Sequence, residues 1–498
     1  MNVAIDWRAL AGKLDMRKQA FIDGKFVDAA SGKTFDCISP IDGAILAKVA
    51  ACDTEDVNRA VKSARAAFEK GVWADMAPKA RKRILVKLAD LIAKHADELA
   101  LLETLDMGKP IANARQGDLR AVAECVRWYG EAIDKQYDEI APSAKSALAL
   151  ITREALGVVG AVTPWNFPLL MAAWKFAPAL ATGNSVVLKP AEQSPLTALR
   201  AAELAAEAGI PPGVFNVVPG FGETAGQALG RHMDVDAISF TGSTEVGKFF
   251  LKYAGESNMK SVSLECGGKT PNIVFADTPD LDAAASGAAD GIFYNSGQVC
   301  DAASRLLVEE KIHDAFLERL KKFAGGYQPA DPLDEKTRMG AMVDETQTKR
   351  VLGYIAKGQQ EGAALALGGK QVRKDSGGYY IEPTVFDRVD NNMTIAREEI
   401  FGPVLSTITF KTPDEAVRLA NDSHYGLEAN LWTNDLTKAH RIARALRAGT
   451  VTINTRDGGG IEVPFGGYKQ SGTGRDKSLH ALDKYTQLKT TYINLAGR

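Results

Sequence analysis

The sequence has few of the residues that mark disulfide-bonded or metal-binding proteins. Its 498 residues include five cysteines and six histidines. The cysteines are odd in number, scattered and never arranged as C-x-x-C, which argues against a disulfide framework and fits a reducing compartment. The histidines are dispersed without an H-E-x-x-H motif. We therefore expect neither a disulfide scaffold nor a metal site.

The sequence also lacks an excess of one charge and a long apolar run. Its 60 basic and 62 acidic residues give a formal net charge of −2, which offers no field to attract nucleic acid or an anionic membrane. No stretch approaches the roughly 18 consecutive apolar residues that a membrane span needs. The first 20 residues carry charges throughout and lack the apolar core of a signal peptide. We expect a cytoplasmic protein with a small-molecule partner.

The residues that are present predict an α/β protein of two or three domains. Apolar residues at steps of three and four predict a helix that begins at a capping Thr54, and a second from about Lys79 to Leu105. From Gly157, and again from Pro271 to Arg447, short β-branched runs alternate with helical ones, which predicts two parallel sheets. Alternating segments at 146–156 and 483–495 predict two strands that pair as a flap across a subunit boundary.

Cys300, in the segment FYNSGQVCDAAS, is the first candidate for chemistry. Small residues around it permit close backbone approach, and backbone donors can favour the thiolate that a nucleophile requires. A buried structural cysteine is the alternative, because free cysteines are among the most buried residues. No nearby histidine stands in a motif that would make it the partner of a cysteine hydrolase.

Two further residues fit an acyl-transfer site. Glu265 ends an apolar strand before a Gly-Gly turn, where partial desolvation would suit a general base; a turn carboxylate paired with Lys269 is the alternative. Asn166 follows a strand in VTPWNFPLL and carries an amide suited to stabilise an oxyanion, although a core asparagine would give the same pattern.

Three strand-to-helix junctions suggest a dinucleotide site. Ser243 in FTGSTEVG can cap a helix whose free N–H groups meet a pyrophosphate, and Gly222 lies at a second junction. Lys189 ends a third strand and Glu192 follows it, where a carboxylate can accept from a ribose 2′-hydroxyl and favour NAD over NADP. Each signal alone is weak, but three in one sheet favour dinucleotide binding.

Seven segments, in this order and spacing, resemble the aldehyde dehydrogenase superfamily: PWNFPLL, KPAEQSP, FTGSTEVG, LECGGK, FYNSGQVC, EEIFGPV and PFGGYKQSG. The resemblance runs from about Phe21 to the C-terminus. It implies an aldehyde dehydrogenase-like α/β fold with two parallel-sheet domains and a small β-flap for assembly into dimers or tetramers. The implied divisions are an NAD-binding domain (1–137 and 157–265), a catalytic domain (266–475) and the flap (138–156 and 476–498).

The resemblance also implies roles for individual residues. Cys300 is the nucleophile, Glu265 is the general base, and Asn166 forms the oxyanion hole with the Cys300 backbone N–H. The implied contacts of NAD, with NADP as the alternative, are Thr163, Pro164, Trp165, Lys189, Glu192, Gly222, Gly242, Ser243, Val246, Gly267, Glu399 and Phe401. The implied substrate pocket contains Phe167, Trp174, Val299, Asp301, Arg456, Gly459 and Phe465.

The implied reaction oxidises an aldehyde to a carboxylic acid through a cysteine thiohemiacetal and a thioester, without a metal. The C-terminal segment is most similar to bacterial enzymes for γ-glutamyl-γ-aminobutyraldehyde and other ω-amino or guanidino aldehydes of polyamine breakdown. A closely similar group acts on arylacetaldehydes such as indole-3-acetaldehyde, and semialdehydes are a further alternative. A non-redox cysteine esterase is the rival from another class.

Four residues depart from the usual pattern. Cys266 replaces a common leucine beside the base. Asp301 follows the nucleophile, where it would hold a cationic tail or else point to solvent or pair with Arg305. Arg456 and Gly459 stand where aromatic residues often narrow the tunnel, which predicts a wider and more polar entrance.

Overall fold

The helices follow the apolar periodicity, with two differences from the predicted bounds. The computed structural model describes residues 5–496. The α-helices are α1 (Trp7–Ala11), α2 (Thr54–Glu69), α3 (Pro78–Lys94), α4 (Ala96–Met107), α5 (Ile111–Asn113), α6 (Leu119–Ala132), α7 (Pro168–Ala181), α8 (Leu196–Ala208), α9 (Gln227–Arg231), α10 (Thr244–Gly255), α11 (Leu281–Phe293), α12 (His313–Ala324), α13 (Glu345–Gln360), α14 (Thr394–Arg397), α15 (Pro413–Asn421) and α16 (Leu436–Ala445).

Both differences concern helix ends. The cap of α2 is Asp53 rather than Thr54, because Asp53 and Asp56 form a reciprocal capping box. The single helix predicted from Lys79 to Leu105 is wrong: α3 and α4 are separated at His95, whose backbone (φ −100°, ψ 19°) leaves the helical region. Apolar periodicity continues across this break, and the pattern alone therefore does not reveal it.

The strands alternate with these helices in the two regions where the sequence predicts parallel sheets. They are β1 (Ala20–Ile22), β2 (Lys25–Val27), β3 (Thr34–Ile38), β4 (Ile45–Ala50), β5 (Glu139–Ala141), β6 (Ala147–Ala155), β7 (Val158–Val162), β8 (Ser185–Lys189), β9 (Phe215–Val217), β10 (Ala237–Thr241), β11 (Ser261–Glu265), β12 (Pro271–Val274), β13 (Arg305–Glu309), β14 (Ala364–Leu367), β15 (Gln371–Val372), β16 (Tyr380–Ile381), β17 (Thr384–Asp387), β18 (Val404–Phe410), β19 (Glu428–Trp432), β20 (Thr450–Ile453), β21 (Gly472–Thr473) and β22 (Thr486–Asn494).

The first sheet has the strand order β2-β1-β9-β8-β7-β10-β11-β21. Its central strands β9, β8, β7, β10 and β11 run parallel, whereas β1, β2 and β21 are antiparallel additions at the edges. Every residue of β7, β8 and β10 is buried, because helices cover both faces of a parallel sheet. The sheet is therefore mixed at its edges and parallel at its centre.

The second sheet has the order β14-β17-β18-β13-β12-β19-β20. All its pairs are parallel except β14 with β17. Its core is separate from that of the first sheet and is built from residues such as Ile273, Phe386 and Leu431. The α/β prediction is confirmed, and the exact domain boundaries stay a prediction.

The two segments outside the α/β blocks pair with each other. β22 lies antiparallel to β6, with Thr486 opposite Ala155 and Asn494 opposite Ala147, and β5 completes a three-stranded sheet. β22 is an edge of that sheet, and the side chains of Leu488 and Tyr492 on it are exposed. An exposed edge strand of nine residues offers unpaired backbone groups to a further strand.

Two features of residues 5–496 bear on function. In that part of the chain, no helix is long and apolar enough to cross a membrane. The same residues contain no group of three or more His, Cys, Asp or Glu side chains that could hold a metal ion.

Candidate active site

The candidate site lies where the first sheet changes its winding direction. From β7 the chain moves outward to β8 and β9 on one side, and then returns to place β10 and β11 on the other. The loops after the adjacent strands β7 and β10 consequently diverge at the carboxyl edge. This edge is where parallel α/β sheets bind ligands.

A cavity opens at this point and extends to α13 and to the loops that precede β13 and β18 of the second sheet. It is lined by Pro164, Trp165, Asn166, Met171, Trp174, Thr241, Gly242, Ser243, Glu265, Cys266, Gly267, Cys300, Gln347, Arg350, Glu399, Phe401 and Phe465. Cys300 and Glu265, which are 35 residues apart in the chain, therefore share one cavity with Asn166. The predicted residues outside this lining are Thr163, Phe167, Lys189, Glu192, Gly222, Val246, Val299, Asp301, Arg456 and Gly459.

A strained loop carries Cys300. Asn295, Ser296 and Gly297 have consecutive positive φ angles of 48°, 56° and 69°, a conformation that persists only when its surroundings enforce it. The Ser296 hydroxyl donates to a backbone carbonyl at 3.1 Å, and the Gln298 side chain donates to the Asn295 carbonyl at 3.2 Å. These buried hydrogen bonds hold the loop in one conformation and so fix the position of Cys300.

The environment of Cys300 favours the neutral thiol at rest. The residue is half-buried at the cavity wall. Burial raises the pKa of its thiol well above the usual value, and the carboxylates of Asp301, Glu399 and Glu265 raise it further. The backbone N–H of Asp301 acts in the opposite direction. A base or an incoming positive charge is therefore needed to form the thiolate near neutral pH.

The amide of Asn166 is held in place on both sides. Its Nδ2 donates to the Gln298 carbonyl oxygen at 2.9 Å, and its backbone carbonyl accepts from Asn295 Nδ2 at 3.1 Å. An amide nitrogen carries two N–H groups. One of them is thus used to bind the loop of Cys300, and the second is available for an oxyanion in the cavity.

Glu265 ends β11 opposite Thr241. It is buried, and neither carboxylate oxygen has a hydrogen-bond partner among the described residues. Burial raises its pKa well above the usual value; Asp476 raises it further, whereas Lys484 and Lys175 lower it. A buried carboxyl group without partners, facing a cavity, can exchange a proton with a water molecule there.

The sequence reasoning missed the ion pair behind Glu265. Lys175 Nζ lies 3.1 Å from Asp476 Oδ2, and both side chains are fully buried. Lys175 is the single charged residue in the otherwise apolar helix α7, PLLMAAWKFAPALA. A charge in such a helix is the signal that could have drawn attention to it, because lysine is almost never fully buried unless paired.

A second missed group supports the segment of Glu399 and Phe401. Arg350 donates to the Glu399 carbonyl at 3.1 Å, and Gln347 donates to the Phe401 carbonyl at 2.8 Å. Both come from α13, and Phe401 has a positive φ of 58°. Trp165 packs edge-on against Phe401, with ring centroids 5.2 Å apart.

Glu399 is enclosed at a point where only glycine fits. Its Oε1 accepts from Gly268 N at 3.1 Å, and a Cβ atom on Gly267 would lie 2.0 Å from Oε2. Burial raises the pKa of Glu399 to about 7. Because Gly267 has no side chain, the Glu399 carboxyl group can approach the backbone that follows Glu265.

The expected dinucleotide contacts lie along the same edge of the sheet. Ser243 caps α10 and accepts from Val246 N at 3.2 Å, which leaves other N–H groups of the first turn for an anion. Lys189 Nζ lies 3.2 Å from Glu192 Oε2 at the end of β8. Thr241 Oγ1 lines the cavity next to this turn and is buried without a partner among the described residues. These donors and acceptors fit a dinucleotide.

Charged residues surround the position after the nucleophile. We call Asp290, Asp301, Glu428 and Arg456 the charged cluster. Burial raises the pKa of Glu428 well above the usual value, and Asp301 raises it further. Arg456 Nη1 lies 2.8 Å from Asp290 Oδ2.

One alternative for this region is excluded, and the predicted wider entrance stays a prediction. Asp301 does not pair with Arg305, since the Arg305 guanidinium donates to the Leu419 carbonyl at 3.0 Å and to the Ala420 carbonyl at 2.8 Å. Arg456 is polar, as expected, but Asp290 holds it, and it lies 5.5 Å from the centroid of the Tyr294 ring.

Comparisons with known proteins agree with this site. The model of the aldehyde dehydrogenase family matches residues 26–491. The NADP/NAD-dependent aldehyde dehydrogenase PuuC of Escherichia coli is 53% identical over 98% of both chains. A solved indole-3-acetaldehyde dehydrogenase with NAD⁺ is 58% identical with a TM-score of 0.98, covering 98% of this chain and 99% of that one. The γ-glutamyl-γ-aminobutyraldehyde dehydrogenase of Burkholderia cenocepacia is also 58% identical, with a TM-score of 0.97 and 99% of each chain covered.

These relatives confirm three predictions made from the sequence: the family, the dehydrogenase class and the nicotinamide dinucleotide cofactor. They do not agree on an aldehyde, since the names of the two solved neighbours specify different ones.

Proposed function

The chain belongs to the aldehyde dehydrogenase family, and we propose that it oxidises an aldehyde with a nitrogen-bearing polar tail, with NAD as the hydride acceptor. The observation that carries the aldehyde chemistry is the shared cavity of Cys300, Glu265 and Asn166. The observation that carries the choice of tail is the charged cluster next to Cys300.

The proposed reaction begins at Cys300. Its thiolate sulfur forms a bond to the aldehyde carbon, and the carbonyl oxygen becomes an oxyanion. The second N–H of the Asn166 amide and the backbone N–H of Cys300 donate to that oxygen. The bound NAD supplies the acceptor for the hydride that leaves the same carbon, and a thioester on Cys300 remains.

Glu265 completes the cycle. It removes a proton from the water molecule that attacks the thioester carbon, the carbon–sulfur bond breaks, and the carboxylic acid leaves. Lys175 and Asp476 lie behind Glu265 and set the charge around it. No step of this scheme requires a metal.

The residues at the edge of the first sheet would hold NAD. The first turn of α10 at Ser243 suits the pyrophosphate, and Lys189 with Glu192 suits the adenosine ribose. A carboxylate at Glu192 accepts from a 2′-hydroxyl and repels a 2′-phosphate, which favours NAD over NADP. Glu399 and Phe401 would contact the nicotinamide ribose and ring.

The charged cluster supports an amino or guanidino tail. Three carboxyl groups of the cluster face a single guanidinium, Arg456, which Asp290 already pairs. The neighbouring Lys477 donates to a backbone carbonyl at 2.9 Å, and Asp457 and Glu462 add carboxylates near it. The excess of carboxyl groups favours a substrate that brings positive charge or N–H donors. We place γ-glutamyl-γ-aminobutyraldehyde first, since its zwitterionic tail brings an ammonium group for the carboxylates and a carboxylate for Arg456, and a neighbouring relative is named for it.

An arylacetaldehyde is the second candidate. Trp174 and Phe465 line the cavity with ring centroids 5.4 Å apart, and such walls suit an aromatic substrate. A neighbour of equal identity is named for indole-3-acetaldehyde.

A panel of aldehydes followed by NADH absorbance tests the proposal. We expect kcat/KM for γ-glutamyl-γ-aminobutyraldehyde and 4-guanidinobutyraldehyde to exceed the values for succinate semialdehyde and indole-3-acetaldehyde. A preference above about tenfold for the indole substrate, which corresponds to about 1.4 kcal/mol, would overturn the choice of tail. Ester cleavage without NAD and without NADH formation from any aldehyde would instead indicate a cysteine hydrolase.

We also propose that the chain forms a homo-oligomer, a dimer or a tetramer, through the sheet of β5, β6 and β22. The exposed edge and the exposed apolar side chains of β22 support this proposal. Light scattering after size exclusion tests it, and a monomer at micromolar concentration would contradict it.

A further inference from the structure

A buried ion cluster lies behind Phe167, outside the cavity of the candidate active site. Lys109 Nζ lies 2.7 Å from Glu103 Oε1 and also contacts Asp118. The side chains of Lys109 and Glu103 are fully buried, and Asp118 is nearly so. Burial lowers the pKa of Lys109, but Asp118 and Glu103 outweigh burial and raise it, so that the ammonium stays charged.

The third contact of this ammonium is an aromatic ring. Lys109 Nζ lies 3.9 Å from the centroid of Phe167. An ammonium has three N–H donors; two partners are the carboxylates and the third is the ring face. A cation–π contact away from water is stronger than an exposed one. The position of the Phe167 ring is therefore tied to the ion cluster.

Phe167 connects both halves of the candidate site. It directly follows Asn166, and its ring stacks on Tyr294 with centroids 6.4 Å apart and planes inclined by 19°. Tyr294 begins the turn Tyr294–Gly297 that leads to Cys300. The Phe167 ring thus connects the segment that carries the Asn166 amide with the segment that leads to Cys300.

The local backbone is built to bring these charges together. Gly108, with φ of 81°, ends α4 and turns the chain so that Lys109 faces Glu103 of the same helix. Asp118 comes from the π-helical turn Ala114–Asp118, a rare form that recurs at functional sites. A buried ion cluster stabilises a fold little compared with apolar packing. Stability alone therefore does not explain why this cluster lies beside Phe167.

We propose that Lys109 is a positioning residue for aldehyde oxidation: it fixes the Phe167 ring, and through it the spacing between the Asn166 amide and Cys300. Lys109 itself touches neither the cavity nor the reacting atoms. This inference rests on the proposed roles of Asn166 and Cys300, but not on the choice of aldehyde.

A double-mutant cycle between the ion cluster and Phe167 tests the inference. Lys109→Met alone would leave two buried carboxylates unpaired and strongly destabilise the fold, so the cluster is neutralised as a whole in the triple variant Lys109→Met, Glu103→Gln and Asp118→Asn. This triple change is made in the native chain and in a Phe167→Leu background. Lys260→Met is the matched control, because Lys260 is a buried lysine that donates to the Gly230 carbonyl at 2.9 Å and does not contact Phe167.

Propionaldehyde with NAD is the probe, and kcat and KM are measured separately. In the native background we expect the triple change to lower kcat/KM about tenfold, mainly through kcat, because an oxyanion contact acts in the transition state. In the Phe167→Leu background we expect a loss below twofold. Binding of NAD, followed by tryptophan fluorescence, and kcat/KM of Lys260→Met should stay within twofold of the native values.

The possible results distinguish failure of the role of Lys109 from failure of the proposed roles of Asn166 and Cys300. Equal losses in both backgrounds, or no loss in the native background, overturn the role of Lys109 alone. An Asn166→Ala variant with normal kcat in the same assay overturns the oxyanion assignment, and this inference with it.

Discussion

The two sides of Cys300 are built in different ways. On the inner side, the Asn166 amide and the loop of Cys300 are fixed by buried hydrogen bonds to backbone carbonyls. On the outer side, the charged cluster of Asp290, Asp301, Glu428 and Arg456 holds several ionisable side chains together. A backbone carbonyl is present whatever the side chain is, so these acceptors on the inner side do not depend on residue type. On the outer side, by contrast, a single mutation can replace any member of the charged cluster.

This difference separates the reaction from the choice of substrate. The inner side provides a nucleophile, a base and an oxyanion donor, which any aldehyde requires. The outer side provides charge, which acts on the tail of the aldehyde and, through Asp301, also on the pKa of Cys300. Changes on the inner side should therefore lower turnover of all aldehydes alike, and changes on the outer side should alter their ranking.

The largest effect is expected for Cys300→Ser. A hydroxyl is a far weaker nucleophile at neutral pH than a thiol with access to its thiolate, and we expect kcat for every aldehyde to fall about 1000-fold or more. The affinity for NAD, measured by fluorescence titration, should remain near normal because Cys300 is not part of the first turn of α10. Retention of substantial dehydrogenase activity would contradict the nucleophile assignment.

Asn166→Ala should have the next largest effect. Removal of one oxyanion donor typically lowers kcat about 100- to 1000-fold. The variant should show the same fractional loss for charged and uncharged aldehydes, because the oxyanion is common to both. A loss confined to one class of aldehyde would contradict the claim that the inner side affects all aldehydes alike.

Asp301→Asn should change two properties at once. We expect the preference for 4-guanidinobutyraldehyde over hexanal to fall about tenfold, equivalent to about 1.4 kcal/mol, because a carboxylate is lost from the charged cluster. Asp301 also raises the pKa of Cys300, so its removal should lower that pKa. The rate of alkylation by iodoacetamide should then rise at lower pH than in the native chain.

Two controls sharpen this prediction. Asp290→Asn removes a carboxylate of the same cluster that is not among the largest influences on the Cys300 pKa; it should alter substrate ranking and move the alkylation profile less than Asp301→Asn does. An unchanged ranking in Asp301→Asn would show that Asp301 does not interact with the tail.

An effect of the same size, but on the cofactor, is expected for Glu192→Gln. The exchange removes the charge that repels a 2′-phosphate and weakens a hydrogen bond to the 2′-hydroxyl. A hydrogen bond to a charged group contributes about 1.5–3 kcal/mol, which predicts about a tenfold fall in the ratio of kcat/KM for NAD to that for NADP. The ranking of aldehydes should not change, since Glu192 lies at the end of β8, outside the lining of the aldehyde cavity.

The sequence predicts the places of several residues at strand ends, while their roles stay predictions. Lys189, Glu265 and Ser243 follow apolar runs or precede glycines and helices, and the parallel sheet brings such positions to one edge. Each strand end can be recognised from its local sequence. The rule that parallel sheets bind ligands at the carboxyl edge then places these ends at one site.

The residues that the sequence reasoning missed act through long-range contacts. Lys175 and Asp476 are 301 positions apart, and Gln347 supports a segment more than 50 residues away. The break between α3 and α4 at His95 was missed for a different reason, because apolar periodicity continues through it. The pairing of Asp301 with Arg305 was wrong because nearness in sequence was taken for contact.

The account rests on a thioester at Cys300, and the most direct measurement is to trap it. Glu265→Gln removes the base that activates water but leaves the nucleophile and the oxyanion donors, so hydride transfer should occur once and hydrolysis should be slow. With 4-guanidinobutyraldehyde and NAD, we predict one burst of NADH per site and an added acyl mass on the peptide that contains Cys300. A variant that turns over normally, or an acyl group found on another residue, would contradict the account.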